Sequence, residues 1–196
     1  MEPSKAIQVL ADRIIPGEGL LWDAGRIAAA NLLLVLCAWV AVPLPWTPVP
    51  ITGQTFGVLL IAVLLGSRRG AMAVGFYLLE GIAGLPVFQP FGLPGAARLA
   101  GPTAGYLLAY PAAAFATGWL VERGAGRTAT RLAGALFCGE FFIFAGGCAW
   151  LAVGMRLGWR GAMDGGLTPF LGGELIKMAL VIAAVRGVEL VRQQRA

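Results

Sequence analysis

The feature that most constrains this chain is a series of long apolar stretches, separated by short segments rich in charge, proline or glycine. Hydrophobic residues fill 58% of the 196 positions and charged residues only 13%, and the mean hydropathy is +0.78. A chain of this composition has too little polar material to cover a soluble globule, so its main solvent is lipid. We therefore predict an all-α integral membrane protein with a single transmembrane domain.

Six of the apolar stretches are read as transmembrane helices, because crossing a hydrocarbon core of about 30 Å takes about 20 helical residues. The expected spans cover residues 27–42, 51–66, 70–85, 103–121, 132–153 and 168–190. Residues 1–25 are mixed and polar and lack the pattern of a cleavable signal, so we expect a cytoplasmic lead-in there. The segment between spans four and five forms a turn, and residues 155–167 form a short loop.

The distribution of basic residues predicts the orientation. Eleven of the 15 Lys and Arg residues lie in the N-terminal segment, in the connections after spans two and four, or in the C-terminal tail. The alternate connections hold three, Arg98, Arg156 and Arg160. By the positive-inside rule both termini are cytoplasmic. The connection after span one, the long loop after span three and the start of span six then all face outward.

The connection at residues 42–57 is the most unusual one, with four prolines in eight residues. Proline fixes φ and removes a hydrogen-bond donor, so this segment is predicted to be extended or turned and not helical. Polar side chains follow where it meets span two: Thr47, Thr52, Gln54 and Thr55. Spacing alone leaves two interpretations open, a stiff hairpin between helices or a ligand-facing segment.

A second irregular connection, residues 86–102, contains Arg98 and four prolines counted from Pro86 to Pro102. A loop of this length in a compact membrane protein is usually functional, and a plain surface loop is the alternative. In span four, Gly105 and Gly118 are expected to let neighbouring helices approach closely.

Glu174 and Lys177 form the most informative ionisable pair. They are three residues apart and so share a face of span six. A lone charge at mid-bilayer costs about 2.5 to 3.5 kcal/mol on insertion scales, so such residues are paired or face a cavity. An internal ion pair that only fixes packing is one interpretation, and a polar ligand site is the favoured one. Glu80 and Glu140 have no basic neighbour at helical spacing, and packing or structural hydrogen bonding is predicted for both.

Several chemistries are excluded by missing residues. The sequence has no histidine, and its three cysteines lie within apolar segments, so neither a metal site nor a His-based catalytic group is predicted. No phosphate-binding loop motif is present, so the chain does not itself hydrolyse ATP. The basic residues are spread as topology signals and do not indicate nucleic-acid binding. A binding module for a small polar solute remains.

Four motifs together carry a family resemblance. They are PLPWTPVPITGQT at 43–55, YLLEGIAGLPVF at 77–88, GPTAGYLLAYP at 101–111 and PFLGGELIK at 169–177. In this order and at these distances they resemble the BioY family, the biotin-binding S-components of energy-coupling-factor (ECF) transporters. The resemblance implies a six-helix S-component bundle in a bacterial or archaeal cytoplasmic membrane. It also implies partners, namely a transmembrane coupling protein and ABC-type ATPases.

The resemblance further implies a site for biotin as a transported ligand, without cofactor or catalytic residue. Glu174 would accept from a ureido N–H, Lys177 would donate to the ureido carbonyl, and Arg98 would pair with the carboxylate. Gln89 can donate and accept in the same loop, and Tyr106 is a candidate for covering the ring. The family more often has Asp at the position of Glu174, and Asn is common near Gln89, so each departure adds one methylene.

The resemblance also implies a small-residue contact between the first helix and the coupling protein. Ala24 and Ala28 have the four-residue spacing that permits close helix approach. Two alternative functions stay open. One is an S-component for another small vitamin, and the other is a membrane-embedded enzyme that uses Glu140 or Glu174 as general base.

The charge distribution generates a topology prediction. In a cysteine-free background, a single cysteine near Gly95 should react with an impermeant thiol reagent added to intact cells, because that loop faces outward. A cysteine near Gly126 should be protected until the cells are opened. The reverse labelling pattern would overturn the assignment of every connection.

Overall fold

The computed structural model describes residues 10, 17 and 19–193, and this part of the chain is mostly helical. The helices are α1 (Leu20–Trp39), α2 (Gln54–Ile82), α3 (Ala104–Glu122), α4 (Ala129–Ala149), α5 (Gly158–Gly166) and α6 (Leu171–Gln193). The short strands β1 (Ala41–Val42) and β2 (Ile51–Thr52) pair antiparallel between α1 and α2. The smaller turns are 3-10 segments at Gly95–Ala100 and Ala125–Arg127 and a π-helical segment at Trp150–Gly154.

Helix α2 is a hairpin of two antiparallel helices. Gly66 breaks it with φ 79° and ψ −168°, a conformation that favours glycine. A Cβ on Gly70 would lie 3.3 Å from the Cα of Ala62, whereas eight residues of straight helix would separate them by about 12 Å. Likewise, Gln54 Nε2 donates to the hydroxyl of Tyr77, 23 residues later, over 2.6 Å. The chain therefore reverses at Gly66, between the expected second and third spans.

The helix bounds differ from the expected spans at several ends. Helix α1 begins at Leu20 and ends at Trp39, whereas the span was expected at 27–42. The helix ends before residue 42 because Val40 is already extended and leads into β1. Arg26 is accommodated within α1 by donating to Asp23 over 3.0 Å and to the carbonyl of Gly17 over 2.9 Å. Apart from residues 10, 17 and 19–25, the expected lead-in lies outside the described residues.

A further departure from expectation lies in the second half of the chain. Residues 155–167 were expected to be a loop, and they contain α5. Its last carbonyl groups receive hydrogen bonds from other segments: Thr47 donates to Gly165, and Tyr106 donates to Gly166 over 2.7 Å. These contacts stabilise a glycine-rich helix that its own sequence disfavours.

Counted as continuous helices, four of the described ones are long and apolar enough to cross a membrane: α1, α2, α3 and α4 with its π-helical extension. Of these, α2 reverses at Gly66 and so consists of two shorter halves. A fifth candidate is the pair α5 and α6, which is bent by 50°. Helix α1 buries one stripe and exposes leucines such as Leu32 and Leu36 at 59% and 54%. An apolar exposed face of this kind is the surface that a lipid-embedded helix presents.

The turn at Gly66 is tightly packed against α3. A Cβ on Gly118 would lie 2.4 Å from the carbonyl carbon of Gly66, so the predicted close approach at Gly118 is confirmed. The Glu122 carboxylate accepts from the Ser67 backbone N–H over 2.7 Å and from its hydroxyl over 2.8 Å. A carboxylate at this position satisfies the free N–H groups that begin the second half of α2.

Helices α3 and α4 meet through glycines nearer the other end of the bundle. A Cβ on Gly105 would lie 2.3 Å from the Gly146 carbonyl oxygen, and a Cβ on Gly147 would overlap the ring of Tyr106. The predicted close approach at Gly105 is thus confirmed. The missing side chains leave the space in which Tyr106 lies.

The irregular connections are folded against one end of the bundle, which we call the site end; it comprises residues 40–53, 83–103 and 155–170. The indole N–H of Trp39 donates to the carbonyl of Pro86 over 3.0 Å, and that of Trp150 donates to Gly101 over 2.9 Å. Between these anchors, Phe88 packs edge-on against Tyr77 at 5.4 Å between ring centroids. The long loop is therefore held in a defined conformation against the bundle.

The packing at Gly118 generates a stability prediction with a matched control. Gly118→Ala should lower the free energy of unfolding by about 1 to 3 kcal/mol, because the added methyl group meets the Gly66 backbone. Gly75→Ala, on the second half of α2 with no atom within 4 Å of the new Cβ, should be neutral or slightly stabilising. Thermal unfolding in detergent measures both, and equal behaviour of the two variants would contradict the packing at the turn.

Candidate substrate-binding site

The centre of the candidate site is the ion pair between Glu174 and Lys177 on α6. Lys177 Nζ lies 2.8 Å from Glu174 Oε1, as expected for residues three apart on a helix. Lys177 also donates to the carbonyl of Thr52 over 2.6 Å and to the hydroxyl of Thr55 over 3.0 Å. The Thr55 hydroxyl in turn donates to Glu174 Oε2 over 2.7 Å. Two carboxylate oxygens, one ammonium group and one hydroxyl thus form a closed network.

The elements around the pair explain why the chain folds this way. Glu174 lies in the first turn of α6, where the helix dipole stabilises a negative charge. Thr52 ends β2 and Thr55 lies in the first turn of α2, so the proline-rich connection brings both groups to α6. Gln54 between them is fixed by its bond to Tyr77. The polar residues after the prolines therefore serve the buried ion pair, and the connection is more than a hairpin.

The pair lines a cavity that we call the Glu174 pocket. Its empty space is about 440 Å³, including open solvent at its mouth. The lining residues are Val49, Pro50, Thr52, Gln54, Thr55, Thr103, Tyr106, Leu107, Tyr110, Ile143, Phe144, Phe170, Glu174 and Lys177. One wall is thus aromatic and aliphatic, and the other carries the ion pair.

Tyr106, the aromatic residue suggested for covering a ligand ring, lines this pocket. Its hydroxyl is engaged by Gly166, and its ring packs edge-on against Phe144 at 6.1 Å between centroids. The ring is therefore held in place as an apolar surface. Trp150 is absent from the lining of this pocket and anchors the long loop through Gly101.

A second cavity, the Arg98 pocket, lies beside the first at the site end. It has about 600 Å³ of empty space, including open solvent. The lining residues are Pro43, Leu44, Thr47, Pro48, Pro50, Gln89, Phe91, Gly92, Leu93, Arg98, Gly101, Pro102 and Thr103. Pro50 and Thr103 line both cavities, so the two pockets are neighbours that share part of a wall.

Arg98 and Gln89 do more in the loop than the sequence indicated. Arg98 is only 5% exposed, and its guanidinium donates to the carbonyls of Phe91 and of Gln89, the latter over 2.9 Å. The side-chain oxygen of Gln89 accepts from the Phe91 N–H over 2.7 Å. Burial lowers the pKa of the Arg98 guanidinium from its ordinary value, and arginine still remains charged at neutral pH. The pocket wall thus carries a fixed positive charge.

Arg98 nevertheless retains donor capacity. Its Nε–H has no hydrogen-bond partner among the described residues, and the guanidinium also lies 5.8 Å from the centroid of the Phe88 ring. The expectation of a wholly available guanidinium fork is therefore too simple, because two of its donors hold the loop.

The two small residues expected to contact the coupling protein lie on α1. Ala24 and Ala28 lie on the exposed face of α1, where a neighbouring helix can reach them.

Glu80 is partly exposed near the end of α2. Glu140 is 5% exposed, and within the described part of the chain neither of its carboxyl oxygens has a hydrogen-bond partner. Packing, one of the two roles expected for Glu140, is the role that its burial supports.

Sequence reasoning missed several walls of the Glu174 pocket. Tyr110, Ile143 and Phe144 lie within apolar helices, and nothing in their spacing separates pocket walls from core. The glycine pair Gly146 and Gly147 could have indicated one wall of the pocket, because it makes room for Tyr106 beside α4.

This chain is similar to known proteins over most of its length. The BioY family model matches residues 14–194. A Rhizobium etli protein named biotin transporter BioY is 38% identical over 165 residues, covering 81% of this chain and 86% of that protein. A Thermotoga maritima protein of the same name is 39% identical over 170 residues, covering 81% and 89%. A crystal structure of the S-component for biotin from an ECF-type ABC transporter has a TM-score of 0.78 at 25% identity, covering 86% of this chain and 91% of that chain.

An apolar helical bundle with a polar pocket at one end defines a multi-pass membrane protein that binds a small solute. The fold is that of an ECF S-component. Given the family model and these relatives, the chain belongs to the BioY family, and the resemblance drawn from the four sequence motifs is confirmed.

Proposed function

We propose that this protein binds biotin and takes it up across the membrane as the S-component of an ECF-type ABC transporter. The observation that carries the proposal is the Glu174–Lys177 pair in the wall of a pocket that is otherwise lined by aromatic and aliphatic side chains. The names of the relatives and of the solved S-component support the choice of ligand. Biotin is the transported ligand in this account, and no cofactor or metal takes part.

The ureido ring fits the polar wall of the Glu174 pocket. A ureido group offers two N–H donors and one carbonyl acceptor. The Glu174 carboxylate accepts from an N–H, and Lys177 donates to the carbonyl oxygen. All three Lys177 donors already have acceptors in the protein, so the ligand oxygen replaces one of them. The bond to Thr55, at 3.0 Å, is the longest of the three.

The carboxylate of biotin then extends past Pro50 and Thr103 into the Arg98 pocket. The positive charge of Arg98 attracts it, and the Nε–H without a partner is a donor that a carboxylate can accept from. Gln89 contributes by holding the loop around Arg98 and by lining the same cavity. Tyr106 covers the apolar part of the ligand from the opposite wall.

The membrane arrangement in this proposal has six spans with both termini in the cytoplasm of a bacterium or archaeon. The reversal of α2 at Gly66 supports counting it as two spans, and the distribution of basic residues supports the orientation. The site end then faces outward, where biotin arrives. Ala24 and Ala28 form the contact with the coupling transmembrane protein, which works with ABC-type ATPases.

Two alternatives carry less support. An S-component for another small vitamin would use the same fold, and the names of the biotin-transporting relatives favour biotin. A membrane enzyme with Glu140 or Glu174 as general base would belong to another class of protein than this family of transport components. Glu174 is moreover engaged by Lys177 and Thr55.

Equilibrium binding of biotin to the purified protein and to Glu174→Gln tests the function and the site together. The wild type should bind one biotin per chain and release it unaltered. Glu174→Gln should bind about 10- to 150-fold more weakly, because a hydrogen bond to a charged group is worth about 1.5 to 3 kcal/mol. Conversion of the ligand to a product would instead support the enzyme alternative.

Glu122→Gln is the control for Glu174→Gln. It weakens the carboxylate contact to Ser67 at the far end of the bundle, so it should lower the unfolding temperature and leave biotin affinity unchanged. If folded Glu174→Gln binds biotin as the wild type does, Glu174 is not a ligand contact and the ion pair only fixes packing.

A separate prediction concerns the carboxylate. Arg98→Ala should weaken the binding of biotin about 10- to 150-fold more than the binding of an uncharged biotin amide, because only the acid loses a charged partner. Loss of the loop contacts to Phe91 and Gln89 affects both ligands alike. Arg160→Ala, exposed on α5 and outside both pocket linings, should change neither affinity. Equal losses for acid and amide in Arg98→Ala would remove Arg98 from the carboxylate site.

A further inference from the structure

Phe88 fixes the middle of the long loop to the bundle. The two indole anchors hold this loop near its ends, at Pro86 and Gly101. Between them, the buried ring of Phe88 packs edge-on against Tyr77, with 5.4 Å between the ring centroids. A Cβ on Gly81 would overlap the same ring, so the ring occupies the gap that this glycine leaves. Tyr77 and Gly81 are four residues apart and share one face of α2, and Phe88 is packed on that face.

Phe88 also joins Arg98 to the bundle. The hydrogen bonds of the Arg98 guanidinium go to the carbonyls of Gln89 and Phe91, which belong to the same loop. These bonds hold the guanidinium relative to the loop and would move with it. The guanidinium carbon lies 5.8 Å from the centroid of the Phe88 ring, within the range of a cation–π contact. Because that ring is packed on α2, Phe88 connects the positive charge to a helix.

The same face of α2 is connected to the Glu174 pocket through Tyr77. This residue is fully buried, and its hydroxyl accepts from Gln54 Nε2 over 2.6 Å. Gln54 lines the Glu174 pocket, and the next residue, Thr55, is hydrogen-bonded to both members of the ion pair. A continuous path of hydrogen-bonded and packed side chains therefore leads from the polar wall of the Glu174 pocket through Gln54, Tyr77 and Phe88 to Arg98.

We propose that Phe88, packed on Tyr77, fixes the separation between the ion pair and Arg98 and so makes the site selective for the length of the ligand's carboxylate chain. Phe88 is a positioning residue, since it contacts Arg98 and lies outside the lining of both pockets. A guanidinium that is already held in place needs no further ordering when a carboxylate of matching reach arrives. The proposal rests on the proposed function for its ligand, whereas the anchoring of the loop requires no ligand.

The affinities for biotin and for two analogues test the selectivity; the carboxylate chain of one analogue is a methylene shorter and that of the other a methylene longer. The wild type should prefer biotin to both. Phe88→Leu keeps an apolar side chain and removes the ring. It should bind biotin about 2- to 10-fold more weakly, because Arg98 must then be ordered on binding. The analogues should lose less affinity, so the preference for biotin shrinks. Equal losses for all three ligands would show a merely structural role and overturn the proposal.

Gly81→Ala changes the same contact from the side of α2, because its methyl group displaces the Phe88 ring. It should also shrink the preference for biotin, and Phe88→Leu decides alone if Gly81→Ala does not fold. Two matched controls lie on the same half of α2. Gly75→Ala meets no atom within 4 Å of the new Cβ, and Phe76→Leu alters an exposed ring. Both should keep the affinity and the preference of the wild type, and a reduced preference in both controls would contradict the proposal.

Hydrogen exchange of the purified ligand-free protein, followed by mass spectrometry, tests the anchoring without a ligand. Peptides from residues 87–101 should exchange faster in Phe88→Leu than in the wild type, because the loop then opens locally more often. Phe76→Leu should exchange as the wild type does. Unchanged exchange in Phe88→Leu would overturn the anchoring and the proposal with it. A wild type that binds no biotin would instead count against the proposed function, and the exchange result would still decide whether Phe88 anchors the loop.

Discussion

A buried polar group in a lipid-embedded bundle must find its partner within the protein, because no water is available to supply one. The site end of this protein is built from such pairings. Indole N–H groups of Trp39 and Trp150 hold the carbonyls of the long loop, and Thr47 and Tyr106 hold the last carbonyls of α5. Non-helical backbone can therefore persist at this end, where it encloses the two pockets.

The same requirement produces the ligand site. The ion pair of Glu174 and Lys177 is stable in a low-dielectric interior only with additional hydrogen bonds, and Thr52 and Thr55 provide them. A ligand with matched donors and acceptors can take over some of these bonds with little loss. A ligand without them would leave buried charges unpaired, which is a strong basis for selectivity.

Much of this arrangement was predictable from the sequence, for physical reasons that are specific to each element. The spacing of Glu174 and Lys177 fixes them on one helix face, and the prolines exclude a helix between α1 and α2. The glycines at 105 and 118 predicted close helix contacts that the structure contains. Each of these inferences depends on local geometry, which the sequence specifies directly.

The remaining features depend on tertiary contacts that spacing does not encode. Helix α5 contains four glycines and is held by bonds from Tyr106 and Thr47, so its propensity alone predicted a loop. Arg98 was expected to pair with a ligand carboxylate, and two of its donors instead hold loop carbonyls. Glu140 was expected to serve packing or a structural hydrogen bond, and it is buried without a hydrogen-bond partner among the described residues.

An experimental structure of the protein with biotin bound would test whether Glu174 and Lys177 bind the ureido ring. We expect the ureido ring in the Glu174 pocket, with its carbonyl oxygen on Lys177 and an N–H on Glu174, and the carboxylate directed toward Arg98. A ureido ring away from α6, or a ligand bound with the opposite orientation, would contradict it.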